Sequence, residues 1–157
     1  MPTNKRSKQY VVHGLDTTYY YKDPEHTILH RTDGPAIVNS RTNKWYINGK
    51  LHRDNEPAIE WAEGGQDWYQ HGKRHRTGGP AISFAGGVDG SWLINDKLHR
   101  LDGPAVNFET KQQWYYINDI SYSKQTFPKG VQKWVSYIEV TTEDIKQAIG
   151  NYRIVEW

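Results

Sequence analysis

The chain predicts a mainly β protein: an array of about five β-hairpin repeats in an elongated, twisted sheet, closed by a small α-helical C-terminal cap. Three observations predict it. His-Arg followed by Pro-Ala recurs as His30-Arg31 with Pro35-Ala36, His52-Arg53 with Pro57-Ala58, His75-Arg76 with Pro80-Ala81 and His99-Arg100 with Pro104-Ala105, in steps of 22, 23 and 24 residues. Seven residues before the last three of those histidines stands a tryptophan, Trp45, Trp68 or Trp92. A turn dipeptide such as Asn48-Gly49 lies between each tryptophan and its histidine, the strongest short-range hairpin signal.

Each element follows from the residues in order. Residues 1–9 are polar and carry Lys5, Arg6 and Lys8, which reads as a flexible basic tail. The array runs over residues 10–122. Tyr10-Val11-Val12 suits a first strand with His13-Gly14 as its turn, and Thr17-Thr18-Tyr19-Tyr20-Tyr21 suits the aromatic strand of the first copy. In the second copy an aromatic strand over Lys44 to Asn48 ends at the Asn-Gly turn. The His-Arg segment and a turn ending in Gly-Pro or a variant follow, then a second strand that begins at proline, where its missing N–H removes no ladder bond. Those second strands are expected over Pro35 to Val38, Pro57 to Trp61, Pro80 to Phe84 and Pro104 to Phe108.

A fifth, degraded copy begins at Tyr115-Tyr116-Ile117-Asn118-Asp119, with Ser121-Tyr122-Ser123 in place of Leu-His-Arg. Residues 123–157 then read as the cap. Val131, Trp134, Val135 and Ile138 fall at helical spacing, and Thr141 or Thr142 can cap a second helix ending at Gly150. Tyr152 and Ile154 suit a closing strand. A hairpin cannot bury its aromatic face alone, so neighbours must stack, and the open end of such a stack needs cover.

Composition narrows the function. With 7 Trp and 11 Tyr against 3 Phe and 1 Met, polar-tipped aromatics carry the burial. No cysteine is present, which removes disulfides, thiolate zinc sites and cysteine nucleophiles. A net charge of +2 does not call for DNA or RNA, and no apolar run is long enough to span a bilayer, so a cytoplasmic location is expected. No phosphate-cradling loop, nucleophile elbow or paired-carboxylate motif occurs.

The motif Trp-Tyr-x-Asn-Gly-Lys-x-His-Arg-x-Asp-Gly-Pro-Ala resembles the variant form of the MORN repeat over roughly residues 19–122. That resemblance implies an interaction scaffold of the kind found in antitoxin-like and phage-encoded proteins, and it brings no catalytic residues. The chain departs from the pattern at Glu56 and Asp96, each in place of Gly, at Gly78 in place of Asp, and throughout the fifth copy.

The candidate binding residues are Tyr46, Arg53, Tyr69, His75, Arg76, His99 and Arg100. Arg rows suit phosphate or an acidic surface, but positions that recur in every copy favour bracing the turn, with Asp33, Asp54 or Asp102 as partner. Gly78 supplies no carboxylate, so Arg76 is the most available of the arginines. Trp45, Trp68, Trp92 and Trp114 or Tyr115 are expected as a buried stripe, with Tyr46, Tyr69, Leu93 and Tyr116 as a second stripe that either faces partners or packs against the C-terminal helices. Equivalent histidines two strands apart would lie about 9.5 Å from one another, too far to share a metal ion, so neither metal nor cofactor is expected. The function expected is a non-enzymatic inhibitor that binds another protein through the repeat face, with a sponge for nucleotides or nucleotide signals as the alternative. A phosphodiester-cleaving enzyme is a weaker third reading, because two histidines would have to converge. An edge-paired dimer is open to such a sheet.

Overall fold

The computed structural model describes residues 8–87, 90–108, 112–124 and 126–127. Their architecture is mainly β and antiparallel, a large sheet built from hairpin-like strands. The helices expected over 131–150, the closing strand and nearly all of the cap assigned to 123–157 lie outside the described residues, as does most of the tail assigned to 1–9.

The main sheet begins with a hairpin of β1 (Tyr10–His13) and β2 (Thr17–Tyr21), closed by a bond from the Gly14 N–H to the Thr17 carbonyl. It continues through β3 (Ile37–Asn39), β4 (Thr42–Lys44), β7 (Ile59–Trp61), β8 (Gln66–Asp67), β11 (Ile82–Ser83), β12 (Gly90–Ser91), β15 (Val106–Asn107), β16 (Gln113–Ile117) and β17 (Ile120–Tyr122). The gaps in that order are filled by three separate two-stranded hairpins: β5 (Tyr46–Ile47) with β6 (Lys50–Leu51), β9 (Tyr69–Gln70) with β10 (Lys73–Arg74), and β13 (Leu93–Ile94) with β14 (Lys97–Leu98).

The expected aromatic strand over Lys44 to Asn48 is therefore two strands, interrupted at Trp45. The reason is a change of hydrogen-bond partner. The N–H groups of Trp45, Trp68 and Trp92 donate to the carbonyls of Ala58, Ala81 and Ala105, on the main-sheet side. The carbonyls of the same tryptophans accept from the N–H groups of His52, His75 and His99, on the hairpin side. Each tryptophan is thus the hinge between the large sheet and a second row of small hairpins.

That second row is stitched together along its length. The N–H groups of Arg31, Arg53, Arg76 and Arg100 donate to the carbonyls of Tyr46, Tyr69, Leu93 and Tyr116 in the following hairpin. In return, Gly49, Gly72, Asp96 and Asp119 donate to the carbonyls of Leu29, Leu51, Arg74 and Leu98. Four turn pairs hold positive φ at both central residues, including Asn48 (50°) with Gly49 (75°) and Asn95 (51°) with Asp96 (68°). Such turns match the twist of their strands but strain any residue other than Gly or Asn. Asp96 and Asp119 offset that strain by accepting, through Oδ1, the N–H of Arg74 at 2.8 Å and of Leu98 at 2.6 Å.

The burial differs from the expected stripe of tryptophans. Ala36, Ala58, Ala81 and Ala105 are fully enclosed, at 0 % exposure, while Trp45, Trp68 and Trp92 are half-buried and Trp114 is 41 % exposed. The stripe of Tyr46, Tyr69, Leu93 and Tyr116 is likewise not open: the tyrosines are half-buried and Leu93 is buried.

Candidate functional site

The arginines that follow each histidine share one geometry. Each guanidinium lies over the aromatic ring of its own copy, with Cζ 3.9 Å from the ring centroid: Arg31 over Tyr20, Arg53 over Trp45, Arg76 over Trp68 and Arg100 over Trp92. Each also donates from Nη1 to the proline carbonyl four residues on, at 3.3, 3.3, 3.1 and 3.3 Å respectively. The position before that proline is glycine in three of the four copies and Glu56 in the second. A Cβ on Gly79 would stand 2.7 Å from the Arg76 Cζ, and on Gly34 3.0 Å from the Arg31 Cζ. In those copies the guanidinium passes close to the glycine backbone, whereas Arg53 keeps the same 3.9 Å to its ring with Glu56 at that position.

Charge pairing varies on this constant frame. Arg31 Nε pairs with Asp33 at 2.8 Å, and Arg100 Nε with Asp102 at 2.6 Å. Arg53 pairs through one nitrogen with Glu56 and through Nη1 with Glu60 at 2.8 Å. Asp54, expected to serve Arg53, lies instead 3.3 Å from His52 Nε2. Arg76 meets no carboxylate among the described residues, and burial without that compensation lowers its pKa from the usual arginine value. Trp68, beneath it, has a buried indole N–H with no acceptor among the described residues.

The histidines reach across to the next turn in two ways. His30 Nδ1 accepts the Asn48 N–H at 3.0 Å, and His52 Nδ1 accepts the His71 N–H at 3.2 Å. His75 and His99 face the Oδ1 atoms of Asn95 and Asn118 at 3.0 and 2.8 Å, which requires Nδ1 to carry the proton. Burial, then the nearby charge of Lys22, lowers the pKa of His30. Burial lowers that of His99 against the opposing bond to Asn118.

The candidate residues Arg53, His75, Arg76, His99 and Arg100 therefore all take part in holding the turns. Tyr46 and Tyr69 stand side by side in the hairpin row; burial, then the neighbouring Tyr69, raises the Tyr46 pKa. Arg74 lies over the Tyr69 ring at 5.7 Å.

Two groupings escape the spacing argument. His52 and His71 stack with centroids 4.4 Å apart, because His71 occupies the turn position held by Asn48, Asn95 and Asn118 in other copies. The second grouping is an aromatic run on one face of the main sheet. Period-two alternation puts Trp61, Phe84 and Phe108 on the face of Ile59, Ile82 and Val106, and Val106 pairs with Trp114 across the ladder. Phe84 lies 6.3 Å from Phe108, which meets Trp114 edge-on at 5.7 Å. Trp61, Phe84 and Trp114 are 44, 51 and 41 % exposed. The signal was present in the sequence: the residue four beyond Pro57, Pro80 and Pro104 is aromatic each time.

Beside Trp61, burial raises the Asp67 pKa, opposed by Arg74, the Trp61 indole and Lys44. Among the described residues no group of three or more His, Cys, Asp or Glu side chains converges as metal ligands would. Comparison with known protein families, curated proteins and solved structures gives no match.

Proposed function

We propose that the chain is a non-enzymatic binding protein that inhibits another protein by covering its surface. In this reading about five hairpin repeats of the variant MORN type, capped by residues 123–157, form a cytoplasmic scaffold of the antitoxin-like or phage-encoded kind. The observation that carries it is the run of Trp61, Phe84, Phe108 and Trp114 along one sheet face. Large aromatics held at a surface by a rigid ladder are the usual anchors of a protein interface. The motif's histidines and arginines add support in a negative sense, since their hydrogen bonds are directed at turns and carbonyls and not at a shared cleft.

The alternative, a nucleotide sponge, draws on Arg76 alone. Arg53 and Arg100 already hold carboxylates, and the rings of Trp45, Trp68 and Trp92 each have one face covered by an arginine. Base stacking on those faces would have to displace the guanidinium. Two measurements separate the readings. Affinity capture from a lysate should retain a protein partner on the wild-type chain and lose it on Phe84→Asp and Trp114→Asp, both folded by circular dichroism. Capture indifferent to both substitutions would sink the interface reading, and a nucleotide-sized mass on the freshly purified protein would promote the sponge.

A further inference from the structure

We infer that Arg76 is a binding site for an external carboxylate, the side chain of an acidic residue on a protein partner, which takes the place that Asp33 and Asp102 fill in sibling copies. The source of that carboxylate rests on the protein-binding reading above; the site itself rests on the comparison within the chain. Arg31 and Arg100 show what the frame is built to hold. Each guanidinium is fixed by the ring beneath and the proline carbonyl, and its Nε–H points to a carboxylate two residues on. Arg53 reaches the same result with Glu56 and Glu60.

Arg76 keeps the frame and meets no anion among the described residues. Its Cζ stands over Trp68 at 3.9 Å and its Nη1 donates to the Pro80 carbonyl at 3.1 Å, so the fork is already oriented. Gly78 stands at the position of Asp33 and Asp102, and a Cβ built on it meets nothing within 4 Å, but its φ of 77° is shared by Asn55 (58°) of the second copy and not by those two aspartates. The space is open and the cation is preorganised. An arginine fork held in this way loses little further entropy on binding, and charge-assisted pairs with carboxylates are the stronger class of hydrogen bond. Desolvation of an unpaired Arg76 adds a reason for an anion to be welcome there.

The test follows the arginine Nε–H signals of the full isotopically labelled chain by NMR while sodium acetate is added, with sodium chloride at matched ionic strength as reference. The Arg76 signal should move saturably with acetate, while those of Arg31, Arg53 and Arg100 should follow chloride. Gly78→Asp should weaken the response by supplying an internal carboxylate, at a positive φ that Asn55 already holds at the equivalent position. Gly78→Asn, similar in shape but neutral, should keep it, and the backbone spectrum reports that both variants fold. The inference is overturned if Arg76 responds no more than its siblings, or if Gly78→Asp responds like wild type. It is also overturned if inorganic phosphate saturates the site at a concentration lower by about tenfold or more, since the site would then belong to phosphate. The two readings fail separately. A partner indifferent to Phe84→Asp and Trp114→Asp would remove the proposed function while leaving the acetate response in place.

Discussion

The segment from Trp45 to Trp61 and the segment from Trp68 to Phe84 share one backbone plan and differ in what surrounds the arginine. In the first, Arg53 has Glu56 and Glu60, and His52 has Asp54. In the second, Arg76 has no carboxylate among the described residues, Gly78 and Gly79 occupy the turn, and the Trp68 indole lacks an acceptor. Yet the distance from guanidinium to ring is 3.9 Å in both, and the bond to the proline carbonyl is kept. The stack and the carbonyl bond therefore set the geometry. The ion pairs are additions to it, which is why one copy can lose its carboxylate and keep its shape.

Breaking the stack should have the largest effect. Trp45→Ala should cost about 3 kcal/mol, the low end for a large aromatic, because the ring is half-buried. Trp68→Ala should cost less, since it also removes an unsatisfied buried donor whose penalty is about 1–3 kcal/mol. Urea denaturation of the two variants checks the order, and a costlier Trp68→Ala would show that the indole N–H is satisfied in solution.

The arginines come next. The carboxylates facing Arg53 are 57 and 39 % exposed, and such pairs contribute about 0–1 kcal/mol. Arg53→Ala and Arg76→Ala should therefore agree to within about 1 kcal/mol in the same experiment. A much larger loss at Arg53 would mean that ion pairing, and not stacking, organises the second copy.

The histidines extend the comparison to pH. Burial holds His30 and His99 below the ordinary value of 6.5, so the unfolded chain takes up their protons first as pH falls. Their contribution is present above that value and is lost on acidification toward the lowered folded-state pKa. Melting temperature should drop between pH 7 and about 5.5, and His99→Gln should flatten part of that drop. Equal drops in both proteins would exclude His99 as a source.

The smallest effect is expected at the turns. Asp96→Gly relieves a strained φ but loses the bond to the Arg74 N–H, so stability should change by no more than about 0.5 kcal/mol. Asp96→Ala loses the bond and keeps the strain, and should cost about 1 kcal/mol or more.

Much of this was legible in the chain. The spacing of His-Arg and Pro-Ala announced hairpins, and Gly78 marked Arg76 as the exception before any distance was known. Other features were not. Reading Lys44 to Asn48 as one strand missed the exchange of partners at Trp45, because a propensity has no information about which carbonyl an N–H will find. Treating only the Trp-Tyr positions as stripes missed the run from Trp61 to Trp114, whose aromatics sit four residues past each proline. The His52–His71 stack escaped because the spacing argument compared equivalent positions only.

What the sequence by itself determined is the local part: mainly β structure, turns at the Asn-Gly positions and their variants, and the recurrence of one motif, all set by short-range steric and pairing preferences. What only the tertiary structure decided is how those units divide their bonds between a large sheet and a row of hairpins, which places alanine rather than tryptophan deepest. It also decided which aromatics remain at the surface and which arginine meets no carboxylate among the described residues. Those outcomes depend on residues about 20 positions apart meeting across the stack, and each meeting is fixed by the space and the hydrogen-bond partners that the neighbouring copy leaves open.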